Sequence, residues 1–207
     1  SHAPIVIYKN TMDYDLGGTE EFSEKRYLTV DGANIGGDTR CCDRIHIVYG
    51  DFDINDENQP YKRYRISYFA KRLKRTTGDE YYGVFRSLES WEQHIGAVEG
   101  EWVSNCDECY NGELIREYLV DMEFVAVDKD GLQVKTDPET DPDDLYTIRS
   151  VDVRLTFRSS AKQGYFKKNI ARIVNSFDSV GTFNITDPFL RSSVFVTVHT
   201  RNIGGTF

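Results

Sequence analysis

Two stretches toward the C-terminal end repeat apolar residues at every second position, the period of a half-buried β-strand. In SVDVRLTFRSS (150–160), Val151, Val153, Leu155 and Phe157 fall on one face and Asp152, Arg154, Thr156 and Arg158 on the other. In RSSVFVTVHTRN (191–202), Val194, Val196 and Val198 recur in the same way before the run closes on Arg201 and Asn202. The same grammar appears earlier. DRIHIVYGD (43–51) carries Ile45, Ile47 and Tyr49 on one face, and YKRYRISYFAKR (61–72) carries Tyr64, Ile66 and Tyr68. The turn-rich DFDINDENQP between them predicts a hairpin with a long polar tip. LVDMEFVAVDKDGLQVKT (119–136) predicts a strand, a turn at DKDG and a second strand.

Other segments read differently. In SLESWEQHIGAV (87–98), Leu88, Trp91 and Ile95 lie at i, i+3 and i+7, which predicts a short helix. YFKKNIARIVNSF (165–177) reads as weakly helical or extended. DPETDPDD (137–144) packs five acids and two prolines into eight residues and reads as a solvated loop. Residues 1–40 are Gly- and Asp-rich and read as irregular connections around one or two short strands. The expected fold class is α+β, mostly β, with antiparallel strands near 43–50, 61–70, 119–127, 150–158 and 193–201. No internal repeat or low-complexity linker divides the chain, so 1–207 is read as one globular domain.

Composition agrees with the pattern. The chain holds 13 Tyr and 12 Phe with many Val, Ile and Thr, which favours strands. A formal charge of −9 argues against a nucleic-acid partner for the molecule as a whole. No apolar run approaches the roughly 20 residues that a membrane helix needs. The four cysteines, Cys41, Cys42, Cys106 and Cys109, are even in number and lean toward disulfides and an oxidising compartment. The CDEC pair closes on itself or ties to the 41–42 pair. Zinc is the rival, but adjacent cysteines make a poor arm of a zinc site.

Catalytic signatures are missing: there is no GxSxG, HExxH or phosphate-cradling GxxxxGK[ST]. His46 and His199 fall in strand patterns and His94 in the expected helix, without a partner motif. DFDINDEN alternates oxygen ligands, Asp51, Asp53, Asn55, Asp56 and Glu57, as a calcium loop does. As an EF-hand it fails, with Asp56 where Gly belongs and Lys62 where the bidentate Glu belongs. An Asx-rich hairpin turn is the plainer account, and calcium the alternative. KRYRISYFAKRLKR (62–75) interleaves seven basic residues with Tyr64, Tyr68 and Phe69. In an acidic protein such a strand is read as a protein-contact surface, with Arg63, Arg65, Lys71 and Arg72 as its candidates.

Taken in order, these segments resemble the type IV minor pilins and type II secretion pseudopilins of the PilW and GspJ kind. DRIHIVYGDFDINDENQPYKRYRISYF is similar to that family's strand, Asp-rich turn and strand. YLVDMEFVAVDKDG, YTIRSVDVRLTFRS and LRSSVFVTVHTRN are similar to three later segments. The colinear match runs from about residue 40 to 203. It implies a pilin-like head of antiparallel sheets on which a hydrophobic N-terminal helix packs, and that helix is absent from this sequence. It further implies a non-enzymatic subunit without a cofactor, anchored in the inner membrane through the helix and later carried to a pilus or pseudopilus at the cell surface. Its partners would be other minor pilins and the major pilin, in initiation and tip assembly. The alternative is an extracellular calcium-dependent adhesin or carbohydrate-binding β-domain. A prepilin leader encoded upstream separates the two.

Overall fold

β-branched and aromatic residues at alternate positions leave little choice but extended chain, because each strand must set its apolar side against the same core. The computed structural model describes residues 4–8, 11–13, 27–29, 42–52, 54–57, 60–74, 80–92, 100–104, 112–136, 142–160, 170–175, 182–187 and 189–200. Among them are twelve strands: β1 Ile5–Tyr8, β2 Thr11–Asp13, β3 Tyr27–Thr29, β4 Arg44–Phe52, β5 Tyr61–Lys74, β6 Glu80–Glu92, β7 Glu101–Ser104, β8 Glu113–Val127, β9 Ser150–Arg158, β10 Ile170–Asn175, β11 Thr182–Asp187 and β12 Arg191–His199. The helix α1, Pro142–Leu145, is one turn long. The fold is mostly antiparallel β.

Ten strands form one sheet, ordered β1-β4-β5-β6-β8-β9-β12, with β2, β3 and β7 attached beside that path. All pairings along the path are antiparallel. β10 and β11 pair separately. The two most regular patterns of the sequence are neighbours: β12 pairs with β9 over nine residues, from Arg191↔Arg158 to His199↔Ser150.

Several expectations need correction. The short helix over 87–98 is strand through Glu92: this part of β6 is held between β5 and β7, with Leu88 opposite Ile66 and Trp91 opposite Trp102. Ladder bonds on both sides outweigh a helical spacing of three apolar residues, since propensity is a weak prior against tertiary pairing. Residues 93–99, with His94 and Ile95, lie outside the described residues. The N-terminal segment, expected to be irregular with one or two strands, has three among the described residues. One of them, β1, is buried, with Ile5, Val6 and Ile7 at 1–3% exposure. Residues 170–175 take the extended option. After the DKDG turn the second strand shrinks to a single bridge, Val127↔Gln133. In the acidic loop, residues 142–145 coil into α1, whose Leu145 is buried.

The register sorts side chains onto two faces. Ile45, Ile47 and Tyr49 lie opposite Tyr68, Ile66 and Tyr64, and Val151, Val153 and Leu155 lie opposite Val198, Val196 and Val194. These make the apolar face. β8 needs three irregularities to conform. Its pairing with β6 slips opposite Val84 and Phe85 and again at Tyr118, which has φ 65, and its pairing with β9 slips between Leu119 and Asp121. Each adds a residue to one strand and changes which side the later residues face. Leu119, Met122 and Phe124 therefore all join the apolar face, and Asp121 and Glu123 join the other.

One end of the apolar face is closed by the chain after β8. Ile7 N–H donates to Thr136 O (3.2 Å) and Val134 N–H to Ala126 O (2.9 Å), and Leu145 and Ile148 are buried in the core cluster. The turn that starts this cover is fastened by Asp128, whose Oδ1 accepts the N–H groups of Asp130 and Leu132, both at 2.8 Å. Gly131 follows at φ +80, a conformation glycine adopts without steric cost. Asp128→Ala is expected to cost about 1–2 kcal/mol, the usual loss when a side-chain acceptor is removed from turn N–H groups. Urea denaturation measures it; an unchanged midpoint would show that the turn does not anchor the cover.

Candidate docking groove

Past that cover, the apolar face is open. A groove of about 520 Å³ runs across it. Its floor comes from the middle strands, with Ile47 on β4, Tyr68 on β5, Val84 on β6, Phe124 on β8 and Val153 on β9. Both ends of the strand order reach it, Ile5 on β1 and Val198 on β12, so the twisted sheet curls around the groove. Tyr49 stands at its rim, 41% exposed and stacked on Tyr64 at 5.5 Å. Burial, then Tyr64 and Asp51, raise the Tyr49 hydroxyl above its usual range, so the rim stays uncharged. Chemically the groove can take apolar side chains and little else.

The opposite face concentrates charge. Arg154 on β9 donates to Asp121 Oδ2 at 2.6 Å and pairs with Glu123; both acids are on β8. All three are buried or nearly so. Asp43 lies close by, 2% exposed, with its Oδ2 accepting the N–H of Phe124 at 2.9 Å. Burial, and next the Glu123 carboxylate, push Asp121 up to about 7 against the opposing pull of Arg154. Its Oδ1 is buried without a hydrogen-bond partner among the described residues. On the same face His46 is held well below the ordinary range by burial and then by Arg44 and Arg65. It stays neutral, packed against Tyr8 at 5.0 Å. This is a packed ionic cluster rather than a cleft.

The residues singled out from the sequence scatter. Arg63, Arg65 and Lys71 share one face of β5, and the Arg72 side chain lies outside the described residues. Arg65 is tied to Glu89 (2.6 Å) and stacked over Trp102 (4.8 Å), and Lys71 lies over Phe85 (5.7 Å). Arg63 is exposed, with no ion pair among the described residues. In the Asp-rich turn, Asp51 accepts the N–H of Phe52 (2.8 Å), and Asp56 pairs with Lys62 (3.0 Å). Asn55 and Glu57 are exposed, and Asp53 lies outside the described residues. Among the described residues, no three His, Cys, Asp or Glu side chains gather as metal ligands. Cys42 is buried and disulfide-bonded; Cys41, Cys106 and Cys109 lie outside the described residues. His199 lies at the groove.

The groove itself was not visible to sequence reasoning, because it depends on seven strands being brought side by side. The ionic cluster left a trace: Asp121 and Glu123, two apart, match the polar positions of 150–158. No protein-family model, curated protein or solved structure matches this chain.

Proposed function

We propose that this chain is the head domain of a minor pilin of a type IV pilus, or of a pseudopilin of a type II secretion system, and that it acts through contact with sibling subunits. The observation that carries this reading is the open apolar groove. In the family that the sequence resembles, a hydrophobic helix packs on the sheet of the head. A sheet face lined by Ile47, Phe124 and Val153 has the chemistry to receive the apolar stripe of such a helix. The ordered match of the strands supports the same reading. Exposed Arg63 is the basic residue of β5 best placed to steer association with another subunit.

The test is complementation. Deleting the gene is expected to reduce surface filaments or type II secretion, and the wild-type gene to restore them. Tyr49→Asp puts a carboxylate at the rim of the groove. It should fail to restore either, although the purified head keeps its melting temperature to within a few degrees. Full function of the Tyr49→Asp strain would rule out the groove as the helix seat. A deletion that leaves filaments and secretion intact would favour the adhesin alternative.

A further inference from the structure

The hairpin of β4 and β5 carries two exposed rings beside its turn. Phe52 and Tyr61 lie directly opposite each other on the two strands, with ring centroids 4.9 Å apart and planes tilted by 53°. Each ring braces the other, yet Phe52 is 53% and Tyr61 81% exposed. Single exposed apolar residues are ordinary on a protein surface. Two rings held against each other in the open are a rigid contact area that costs little conformational entropy to use.

The next positions on the same face are Gly50 and Arg63, again opposite each other. Gly50 leaves the floor bare: a Cβ built there would approach Lys62 O no closer than 3.9 Å. Arg63 is exposed and makes no ion pair among the described residues. Its neighbours Lys62 and Arg65 are paired with Asp56 and Glu89. Two rings, an open strip of backbone and one uncommitted cation therefore share two successive rungs of this face of the ladder.

The face of an aromatic ring is electron-rich and attracts C–H groups that carry slight positive charge. A pyranose ring presents such C–H groups on one side and hydroxyls around its edge. It can lie flat on an open floor, where an apolar side chain of a protein partner would seek a hollow. The guanidinium adds a planar pair of donors matched to a carboxylate. The net charge of −9 and the Asp-rich turn beside the rings work against nucleic acid or an anionic lipid surface, which present dense charge. A sugar acid brings one carboxylate for each ring.

We propose that Gly50, Phe52, Tyr61 and Arg63 form a surface site for an acidic saccharide, whose ring stacks on Tyr61 and Phe52 over the bare Gly50 backbone while its carboxylate pairs with Arg63. The site is shallow, so one sugar residue binds weakly and lasting attachment needs a repeating polymer or several copies of the chain. It lies on the face opposite the groove and does not rest on the pilin reading.

Isothermal titration calorimetry of the purified chain tests this with oligogalacturonate, oligomannuronate and the methyl esters of both. At least one acid should bind with a dissociation constant in the high micromolar to millimolar range, and its ester about tenfold more weakly. Arg63→Gln should bring the acid down to the affinity of its ester and leave the ester unchanged. Tyr61→Ala should remove binding of both. These side chains are exposed, so both variants should keep the wild-type melting temperature to within a few degrees. Ile54→Ser should change nothing, although Ile54 is 79% exposed, because it lies in the turn beyond the paired strands. Failure of both acids to bind at millimolar concentration overturns the proposal, and so does binding that survives Tyr61→Ala or equal affinity for acid and ester. Loss of binding in Ile54→Ser also overturns it, by marking the tip as an apolar contact for protein or lipid.

Discussion

Arg154→Met is expected to be the most damaging single substitution in the sheet, with a loss of about 3–5 kcal/mol of stability. The reason is what it leaves behind. Arg154 is 6% exposed and Glu123 7%, and Asp121 lies beside them in contact with the same guanidinium. The methionine fills most of the volume but leaves Asp121 and Glu123 side by side without the Arg154 guanidinium, with Asp43 close by, so the buried pair must carry uncompensated charge or take up a proton. Water is excluded from this part of the sheet, so neither acid can be resolvated without opening the strands. A loss of that size approaches the whole stability of many domains, so the variant should unfold at much lower urea concentration. The decisive control is to add Asp121→Asn and Glu123→Gln to Arg154→Met. Removing the stranded charges should recover more than half of the loss, because most of the penalty belongs to the uncompensated acids and not to the missing pair. If Arg154→Met costs less than about 1 kcal/mol, or the added amides recover nothing, the cluster does not hold β8 and β9 together in this way.

How much of this was legible before the structure follows from which interactions are local. β9 and β12 were readable to within two residues because Val151 to Phe157 and Val194 to Val198 each obey a period of two that any half-buried strand imposes. The hairpin of β4 and β5 was readable for the same reason, its partners being adjacent in sequence and joined by one polar, turn-rich segment. β6 was misread because three apolar residues at helical spacing are a weaker signal than two neighbouring strands, and nothing in the sequence announces those neighbours. The bulges at Tyr118 and after Leu119 were hidden as well. They matter most, since they place Glu123 opposite Arg154 and Asp121 opposite Thr156, both on the charged face instead of in the core. The same limit applies to the β5 cations. Arg65 looked like a free contact residue in sequence, but Glu89 and Trp102, reached only across strand pairings, hold it in place.

Two buried residues should tie stability to pH in opposite senses across the same range, below about pH 7. The first is Asp121, whose folded-state value of about 7 lies above its ordinary 3.8, mainly through burial. A raised value means that the native state holds a proton that the unfolded chain releases. The contribution is complete below about 3.8, is lost as pH rises through about 7 and changes little beyond. The second is His46, lowered well below 6.5 by burial and by Arg44 and Arg65. Here the unfolded chain binds the proton first, so stability present above 6.5 is lost as pH falls below it. In the wild-type protein the two slopes oppose each other below about pH 6.5, and single variants expose them. For Asp121 the scale is a few kcal/mol, set by roughly 1.4 kcal/mol for each unit of difference. Urea midpoints between about pH 4 and pH 9 measure the curves. His46→Gln should leave the Asp121 slope alone, so its stability should decline as pH rises toward 7. Asp121→Asn should leave the His46 slope alone, because the amide has no proton to lose, so its stability should rise with pH up to about 6.5. An Asp121→Asn protein whose stability still declines as pH rises toward 7 would place that transition on another group and remove Asp121 from the account.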